Sequence, residues 1–179
     1  MSLLHDSNGY LVPGFHKFDI PTFVKTFVES DPTSNTRGEI FEGYCEYCNI
    51  LIPFNFIKRQ WINGSYVTKK LDPNDIDVIN IVDSKAIESN ESLILYIKSL
   101  EAGYETACEK YKCDAHFITE YPVDDPRREI FEKSAELWID IKEGVYSTQN
   151  GVRKGIVELE FDPFFFETEV SCGDGISDG

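Results

Sequence analysis

Two aspartates one residue apart, Asp75 and Asp77, stand in a segment that otherwise alternates like a β-strand. Side chains at positions i and i+2 of a strand project from the same face, about 6.5–7 Å apart. Two carboxylates that close repel each other, and taking them out of water is costly. A hard divalent cation removes both costs, since Mg²⁺ commonly binds one or two carboxylates together with water and phosphate oxygens. The pair therefore predicts a metal site for Mg²⁺ or Mn²⁺.

A third acid, Asp114, interrupts the strand-like segment at residues 112–119. A charged residue there is explained if this segment lies beside the strand that carries the aspartate pair. Two metal ions about 3.5–4 Å apart can hold the attacking and leaving oxygens of an in-line phosphoryl displacement. We therefore interpret Asp75, Asp77 and Asp114 as candidate metal ligands. His116 shares a strand face with Asp114, and is either a hydrogen-bonded structural histidine or a group that contacts substrate or assists proton transfer.

Gly64 and Ser65 precede the acidic pair, with nine residues between Ser65 and Asp75. Glycine lets the backbone approach a phosphate closely, and serine adds a hydroxyl donor. A helical turn that began at Ser65 would add a favourable anion site at its N-terminus. The spacing predicts that the triphosphate of a nucleotide lies at this turn. The next polar residues belong to a solvated charged loop or contact phosphate: Thr68, Lys69 and Lys70.

The compound pattern of Gly64-Ser65, nine residues, Asp75-Ile76-Asp77 and a later carboxylate at Asp114 resembles the DNA polymerase β-type nucleotidyltransferase superfamily, in particular its minimal stand-alone members. The resemblance covers about residues 56–119. It implies a small mixed sheet flanked by helices, and transfer of a nucleoside monophosphate from a nucleoside triphosphate with release of pyrophosphate. It also implies that the three aspartates are catalytic and metal-binding. Asp114 lies near the attacking hydroxyl in this scheme and can act as its base.

The chain departs from this pattern in the turn after Gly64-Ser65, where minimal bacterial members often carry arginine and this sequence has residues 66–70, "YVTKK". Thr68, Lys69 or Lys70 would then replace the phosphate contact, and the sequence leaves open which one. Lys154, near the start of a predicted strand, is either solvated or reaches a phosphate. Small stand-alone members often act in toxin–antitoxin or phage-defence pairs, so the resemblance implies such a setting and a protein partner.

The acceptor of the nucleotide is not identified by the sequence, and an RNA end, a protein hydroxyl such as that of tyrosine, and a small molecule all remain open. The formal net charge of −15 argues against a strong basic face for duplex nucleic acid. Two rival interpretations are a non-catalytic nucleotide-binding or regulatory partner with the same fold, and a purely structural subunit. The second would require an exposed surface at residues 164–166, "FFF", or along the helix predicted at 127–146.

Composition favours a globular protein in the cytoplasm. Hydrophobic residues make up 41% of the chain, no run reaches the length of a membrane span, and the first residues lack the pattern of a signal peptide. Five cysteines, an odd number, are expected to be reduced thiols. Cys45 and Cys48 have the spacing of a zinc motif, but they lie on a predicted helix, where a spacing of three is typical of a buried face.

The pattern of elements predicts an α/β (α+β) fold with a small mixed sheet. A single domain over residues 1–165 is followed by a flexible acidic, glycine-rich tail at 166–179. Residues 1–20 look irregular, and a short helix begins at Pro21. The further helices are predicted at 36–51, 91–111 and 127–146, and the strands at 56–62, 75–83, 112–119 and 151–161. In the last helix the expected apolar side consists of Ile130, Phe131, Leu137, Trp138 and Ile141.

Overall fold

The computed structural model describes residues 4–139 and 154–166. Its centre is a five-stranded mixed sheet in the order β1-β5-β2-β3-β4. The strands are β1 (Gly14–Phe18), β2 (Ile57–Asn63), β3 (Ile76–Asp83), β4 (Cys113–Glu120) and β5 (Gly155–Glu160). β2 runs antiparallel to both of its neighbours, β3 and β5, whereas β3 pairs with β4, and β1 with β5, in parallel. The predicted mixed α+β fold is confirmed.

Helices cover both faces of the sheet. They are α1 (Ile20–Phe23), which continues as a π-helical turn (Val24–Val28), α2 (Arg37–Leu51), α3 (Ser84–Ser89), α4 (Glu91–Ala102), α5 (Tyr104–Tyr111) and α6 (Arg128–Ile139). α2 ends at Leu51, close to Pro53 as predicted, and a 3₁₀ turn (Ile52–Phe54) follows it. The helix at Pro21 is confirmed, with the Asp19 side chain accepting a hydrogen bond from the Thr22 amide at its N-terminus.

The sheet separates a large core from a smaller one. On one face, Ile76 and Val78 of β3 join side chains from α1, α2 and α4 in the main hydrophobic cluster. On the other face, Ile79 and Ile81 pack with Trp61 and with residues of α6. All four β3 side chains are fully buried, because strand side chains alternate between faces and each face here has a cover. The central strands are therefore fixed from both sides, and their ends form a rigid edge.

Two elements were not predicted, and one predicted helix is broken. Residues 14–18 form β1 rather than an irregular segment, because their partner is β5, far away in the sequence. A short helix, α3, follows β3 directly, and the Asp83 side chain accepts a hydrogen bond from the Lys85 amide at its start. The predicted helix at 91–111 divides at Gly103 into α4 and α5. Glycine has low helix propensity, and here its amide bonds to the Ser99 carbonyl as α4 ends.

The apolar side predicted for the last helix is too wide. Phe131 and Ala135 are buried against the sheet, but Ile130 and Leu137 are 59% and 69% exposed. One helix on a narrow sheet face buries only the residues that point at it, and periodicity cannot measure that width. Ile141 lies outside the described residues.

Phe166 is the first residue of the predicted tail. It is fully buried, and its ring packs against Tyr44. Residues 167–179 also lie outside the described part.

Candidate functional site

The topology brings two of the predicted aspartates together at one edge of the sheet. In the parallel pair β3–β4, Asp77 is the direct register partner of Asp114. Asp75 precedes β3 by one residue. On the opposite side, Asn63 at the end of the antiparallel strand β2 pairs with Asp77. Because β2 ends where β3 and β4 begin, the segment that follows β2 starts beside the acids.

Gly64 and Asp77 are in direct contact. Gly64 has φ +76°, a left-handed conformation that other residues rarely adopt. A Cβ atom added to Gly64 would lie 1.4 Å from Oδ2 of Asp77. The sequence suggested this glycine as a place for close approach by a phosphate, and the contact observed here is with the aspartate. Glycine is required at position 64 for this placement of the Asp77 carboxylate.

Asp114 is held by the histidine two residues further along the same strand. His116 Nε2 lies 2.8 Å from Asp114 Oδ1. The His116 ring packs against Trp138 of α6, with ring centroids 4.6 Å apart. Both side chains are partly exposed, so the pair remains accessible from solvent. The shared strand face was predicted, and the contact restricts the orientation of the Asp114 carboxylate.

The electrostatics of Asp75 match a cluster of like charges. Desolvation by surrounding protein atoms raises the pKa of Asp75, the charge of Asp114 raises it further, and the positive charge of Lys70 partly offsets both. By solvent accessibility Asp75 is an exposed residue. Desolvation and the charge of Asp114 both disfavour the ionised form of Asp75. A cation near Asp75 would act in the opposite direction.

Lys154 lies near this acidic edge, one residue before β5. Burial lowers the pKa of Lys154, and the negative charge of Asp77 acts to raise it. Its ammonium nitrogen lies 5.1 Å from the centroid of the Tyr10 ring. A half-buried amine stacked on an aromatic ring and close to a carboxylate has less freedom than a surface lysine. The sequence left its role open, and the structure brings it to the edge that holds Asp77.

Residues 66–69 form a turn, whereas a helical turn that begins at Ser65 was considered from the sequence. The Thr68 amide and hydroxyl both donate to the Ser65 carbonyl, at 3.1 and 2.7 Å. Thr68 is buried, so its hydroxyl serves the loop itself. The Lys69 amide donates to the Gly9 carbonyl at 2.9 Å. Gly64 and Ser65 therefore lie at the acidic edge, while Thr68 and Lys69 line a cavity described below.

Sequence reasoning missed Arg37, which organises this loop. Its side chain is 4% exposed, and its two terminal nitrogens donate four hydrogen bonds of 2.7 Å to backbone carbonyls. Three of those carbonyls belong to the loop and one to the π-helical turn: Tyr66, Thr68, Lys70 and Phe27. Burial lowers the pKa of Arg37. No sequence signal identified it, because an arginine at the start of a helix is usually a solvated surface residue.

The three acids are thus neighbours, but their side chains do not converge on one point. Among the described residues, no group of three or more His, Cys, Asp or Glu side chains is arranged as a set of metal ligands. The Asp77 carboxylate lies against Gly64, and the Asp114 carboxylate contacts His116. The donor chemistry nevertheless fits a hard cation, since carboxylate oxygens are the groups that Mg²⁺ prefers.

Cys45 and Cys48 are buried on α2, as the helical spacing predicted.

Comparisons with known proteins identify one family. A family model described as "Family of unknown function (DUF6932)" matches residues 3–160. Comparison with curated proteins and with solved structures gives no significant match. Within the described residues, no helix combines the length and apolar character needed to cross a membrane.

Proposed function

We propose that this chain, which belongs to a family of unknown function (DUF6932), is a metal-dependent nucleotidyltransferase. It would transfer a nucleoside monophosphate from a nucleoside triphosphate to a hydroxyl group and release pyrophosphate. The proposal rests above all on the register pair Asp77–Asp114, with Asp75 beside it and Gly64 against the Asp77 carboxylate. Three acids at one edge next to a glycine turn are difficult to explain by stability, because clustered carboxylates destabilise a fold.

In this proposal the aspartates would hold Mg²⁺ or Mn²⁺, which supplies charge neutralisation for the triphosphate when bound. Asp114 accepts the proton of the acceptor hydroxyl, whose oxygen attacks the α-phosphorus. The bond from that phosphorus to the bridging oxygen of the β-phosphate breaks, and pyrophosphate leaves with the electron pair. His116 keeps the Asp114 carboxylate oriented through the 2.8 Å contact. Positioning of this kind is the main protein contribution to phosphoryl-type transfer.

Gly64 and Ser65 are the proposed triphosphate turn, and Lys154 is a candidate cation for the same group. Lys154 is half-buried near Asp77 and not extended into solvent. A partly desolvated ammonium attracts a phosphate more strongly than an exposed one, because the local dielectric is lower. Lys69 and Lys70 remain alternatives from the sequence, but they line a cavity that none of the three aspartates lines.

The acceptor is an RNA end, a protein hydroxyl or a small molecule. The net charge of −15 disfavours long nucleic acid, which is bound through clustered Lys and Arg. A protein hydroxyl or a short RNA end fits the charge better. A toxin–antitoxin or phage-defence setting, with a protein partner, is supported only by the resemblance to small stand-alone nucleotidyltransferases.

A second candidate function is nucleotide binding without turnover, as a regulatory partner. The observation that favours it is that the acids already have protein partners, Gly64 for Asp77 and His116 for Asp114, instead of a converged set of ligands. A regulatory protein would keep a nucleotide at the edge without needing the ligands to close around a metal.

A labelling screen tests the first function. The protein is incubated with each of four α-³²P nucleoside triphosphates, Mg²⁺ or Mn²⁺, and a lysate that contains RNA and protein. We expect label on an RNA or protein band with the wild type and none with Asp75→Ala/Asp77→Ala. The variant Asp124→Ala, at an exposed loop acid away from the site, should label like the wild type. Absence of label with every nucleotide and both metals, from a folded protein, would overturn the transferase.

Thermal unfolding distinguishes nucleotide binding without turnover from the absence of any nucleotide site. A nucleotide present at about 100 times its Kd adds about 2.7 kcal/mol to the free energy of unfolding. We expect a rise in Tm with nucleotide and Mg²⁺ that the double alanine variant lacks. A rise without any labelling supports the regulatory partner. No rise and no labelling would remove both proposals.

A further inference from the structure

A cavity of about 420 Å³ lies behind the loop that follows Gly64. Its polar lining includes His5, Ser30, Asp31, Arg37, Lys69 and Lys70. Neither Gly64 nor any of the three aspartates lines it. Sites for small molecules commonly have volumes of about 300–1,000 Å³, so the cavity is large enough for a compact ligand.

The charge of this cavity is opposite to that of the whole chain. The formal net charge of the chain is −15, yet the described residues that line the cavity include three cations and one histidine, and Asp31 is the sole acid among them. In the described part of the chain, neither Lys69 nor Lys70 forms an ion pair, whereas several surface lysines do. Asp31 is itself occupied by hydrogen bonds from the Thr33 amide and hydroxyl. The lining therefore has an excess of positive charge.

Arg37 adds to the positive potential in the cavity from its buried position in the lining. The four hydrogen bonds of its guanidinium group go to neutral carbonyls, and no carboxylate in the described residues forms an ion pair with it. A buried cation without an acidic partner is costly and projects its potential into the nearest open space. Asp31 and Asp72 act on it only at longer range. A negatively charged group in the cavity would offset that cost.

His5 adds a titratable donor to the same wall. One ring nitrogen, Nε2, lies 3.1 Å from the Val67 carbonyl, which fixes the ring. The ring meets Phe27 edge-on, with centroids 6.0 Å apart. Burial lowers the pKa of His5, and the charges of Lys69 and Arg37 lower it further. A bound anion would counter the positive charges of Lys69 and Arg37 and raise the pKa of His5. The pKa of His5 can therefore report whether the cavity is occupied.

We propose that this cavity is a binding site for a compact phosphate-bearing anion, such as phosphate, pyrophosphate or the phosphate groups of a nucleotide. Two lysines that form no ion pair with the described residues, a fixed histidine and a buried arginine suit an anion of multiple charge better than a single carboxylate. The proposal is independent of the transferase function, since it needs no metal and no turnover. The ligand would contact the loop that Arg37 holds, on the side of the loop that lines the cavity.

A titration followed by ¹H–¹⁵N NMR, in EDTA and without divalent cations, tests the site with pyrophosphate as the probe. Phosphate and ATP in parallel titrations distinguish the source of the phosphate group. We expect saturable shifts of the amides of Lys69, Leu71 and His5, and a rise in the pKa of His5 on saturation. A Kd for pyrophosphate below about 1 mM corresponds to specific binding by several charged groups.

Variants decide between a built site and general attraction. Lys69→Gln and Lys70→Gln should each weaken pyrophosphate binding at least about tenfold, since each removes a charge-assisted hydrogen bond. Lys85→Gln, at an exposed lysine on α3, removes the same charge elsewhere and should leave the Kd unchanged. Equal weakening by all three variants, or shifts confined to the amides of Gly64 and Asp77, would overturn the proposal. A negative labelling screen would leave the anion-site proposal standing. A negative titration would likewise leave the transferase proposal standing.

Discussion

Asp77 Oδ2 occupies the space where the Cβ of any residue other than glycine would lie at position 64, only 1.4 Å from that point. Gly64 directly follows β2, and Asp77 lies in the neighbouring strand β3. The carboxylate can therefore take this position only because residue 64 is glycine, and the turn can take its left-handed conformation for the same reason.

Gly64→Ala is expected to displace Asp77 and to strain the turn. A non-glycine residue in a left-handed conformation costs about 1–3 kcal/mol of stability when the structure enforces it. If the transferase proposal holds, displacement of a catalytic carboxylate should lower kcat/KM at least about 100-fold. Gly38→Ala is the matched control, because Gly38 is helical and no neighbouring atom lies within 4 Å of the position that a Cβ would take. Wild-type activity in Gly64→Ala would contradict the assignment of Asp77.

Arg37→Met is expected to lower the free energy of unfolding by about 2–4 kcal/mol, because three buried carbonyls and one partly buried carbonyl lose their donor. Arg37→Lys keeps the charge but not the two-nitrogen fork, so it should lose nearly as much. Chemical denaturation measures both, and amide exchange at Thr68 and Lys70 should rise. Arg127→Met, at an exposed arginine with surface ion pairs, should change stability by less than about 1 kcal/mol. A fully active and stable Arg37→Met would show that the loop does not need this residue.

Asp75→Asn is expected to stabilise the protein at neutral pH. The folded-state pKa of Asp75 is raised above the ordinary value of 3.8, so ionisation of Asp75 lowers the free energy of unfolding as the pH rises from 3.8 through the folded-state pKa. The asparagine removes that cost, and we expect a rise in Tm of about 1–2 °C at pH 7. The gain should shrink as the pH falls towards 4 and disappear below the unfolded pKa. Thermal unfolding over about pH 3–7 measures the gain in Tm at pH 7 and its loss in acid.

Metal binding provides a second readout for the same variant. Mg²⁺ should raise the Tm of the wild type more than that of Asp75→Asn, because a cation stabilises the ionised acids. Asp124→Asn, at an exposed loop acid, serves as control and should match the wild type in both measurements. A lower Tm for Asp75→Asn at neutral pH would mean that the carboxylate makes a net favourable contact in the fold.

Local pattern was sufficient for the elements that carry the acids, and insufficient for the contacts between them. β3 and β4 were predicted because alternation and the unexpected charges are properties of short segments. That Asp77 pairs with Asp114, rather than with a neighbour, depends on the parallel register, which short-range pattern does not encode. β1 and the four bonds of Arg37 depend on partners far along the chain. His116 was placed correctly because its position relative to Asp114 follows from strand geometry alone.

Glu120→Gln is expected to destabilise the fold at the other end of β4. Hydrogen bonds from Arg59 lower the pKa of Glu120 from 4.5 to about 2, and the charges of Arg59 and Lys58 contribute. A lowered pKa means that the stabilisation is present above the unfolded value of 4.5 and is lost as the pH falls towards about 2. We expect a loss of about 1–2 kcal/mol at pH 7, discounted for solvent screening. Glu132→Gln, which removes an exposed helical pair with Arg128, should cost about 0.3–0.5 kcal/mol.

Lys154→Met tests whether the amine near Asp77 serves the proposed triphosphate. The side chain is half-buried beside the Tyr10 ring, and methionine preserves most of that packing while removing the charge. We expect KM for the nucleotide to rise about tenfold or more, with little change in Tm. Lys98→Met, at an exposed lysine of α4, should leave KM unchanged. An unchanged KM in Lys154→Met, together with a lower Tm, would make the residue a structural lysine and leave the triphosphate to the Gly64-Ser65 turn.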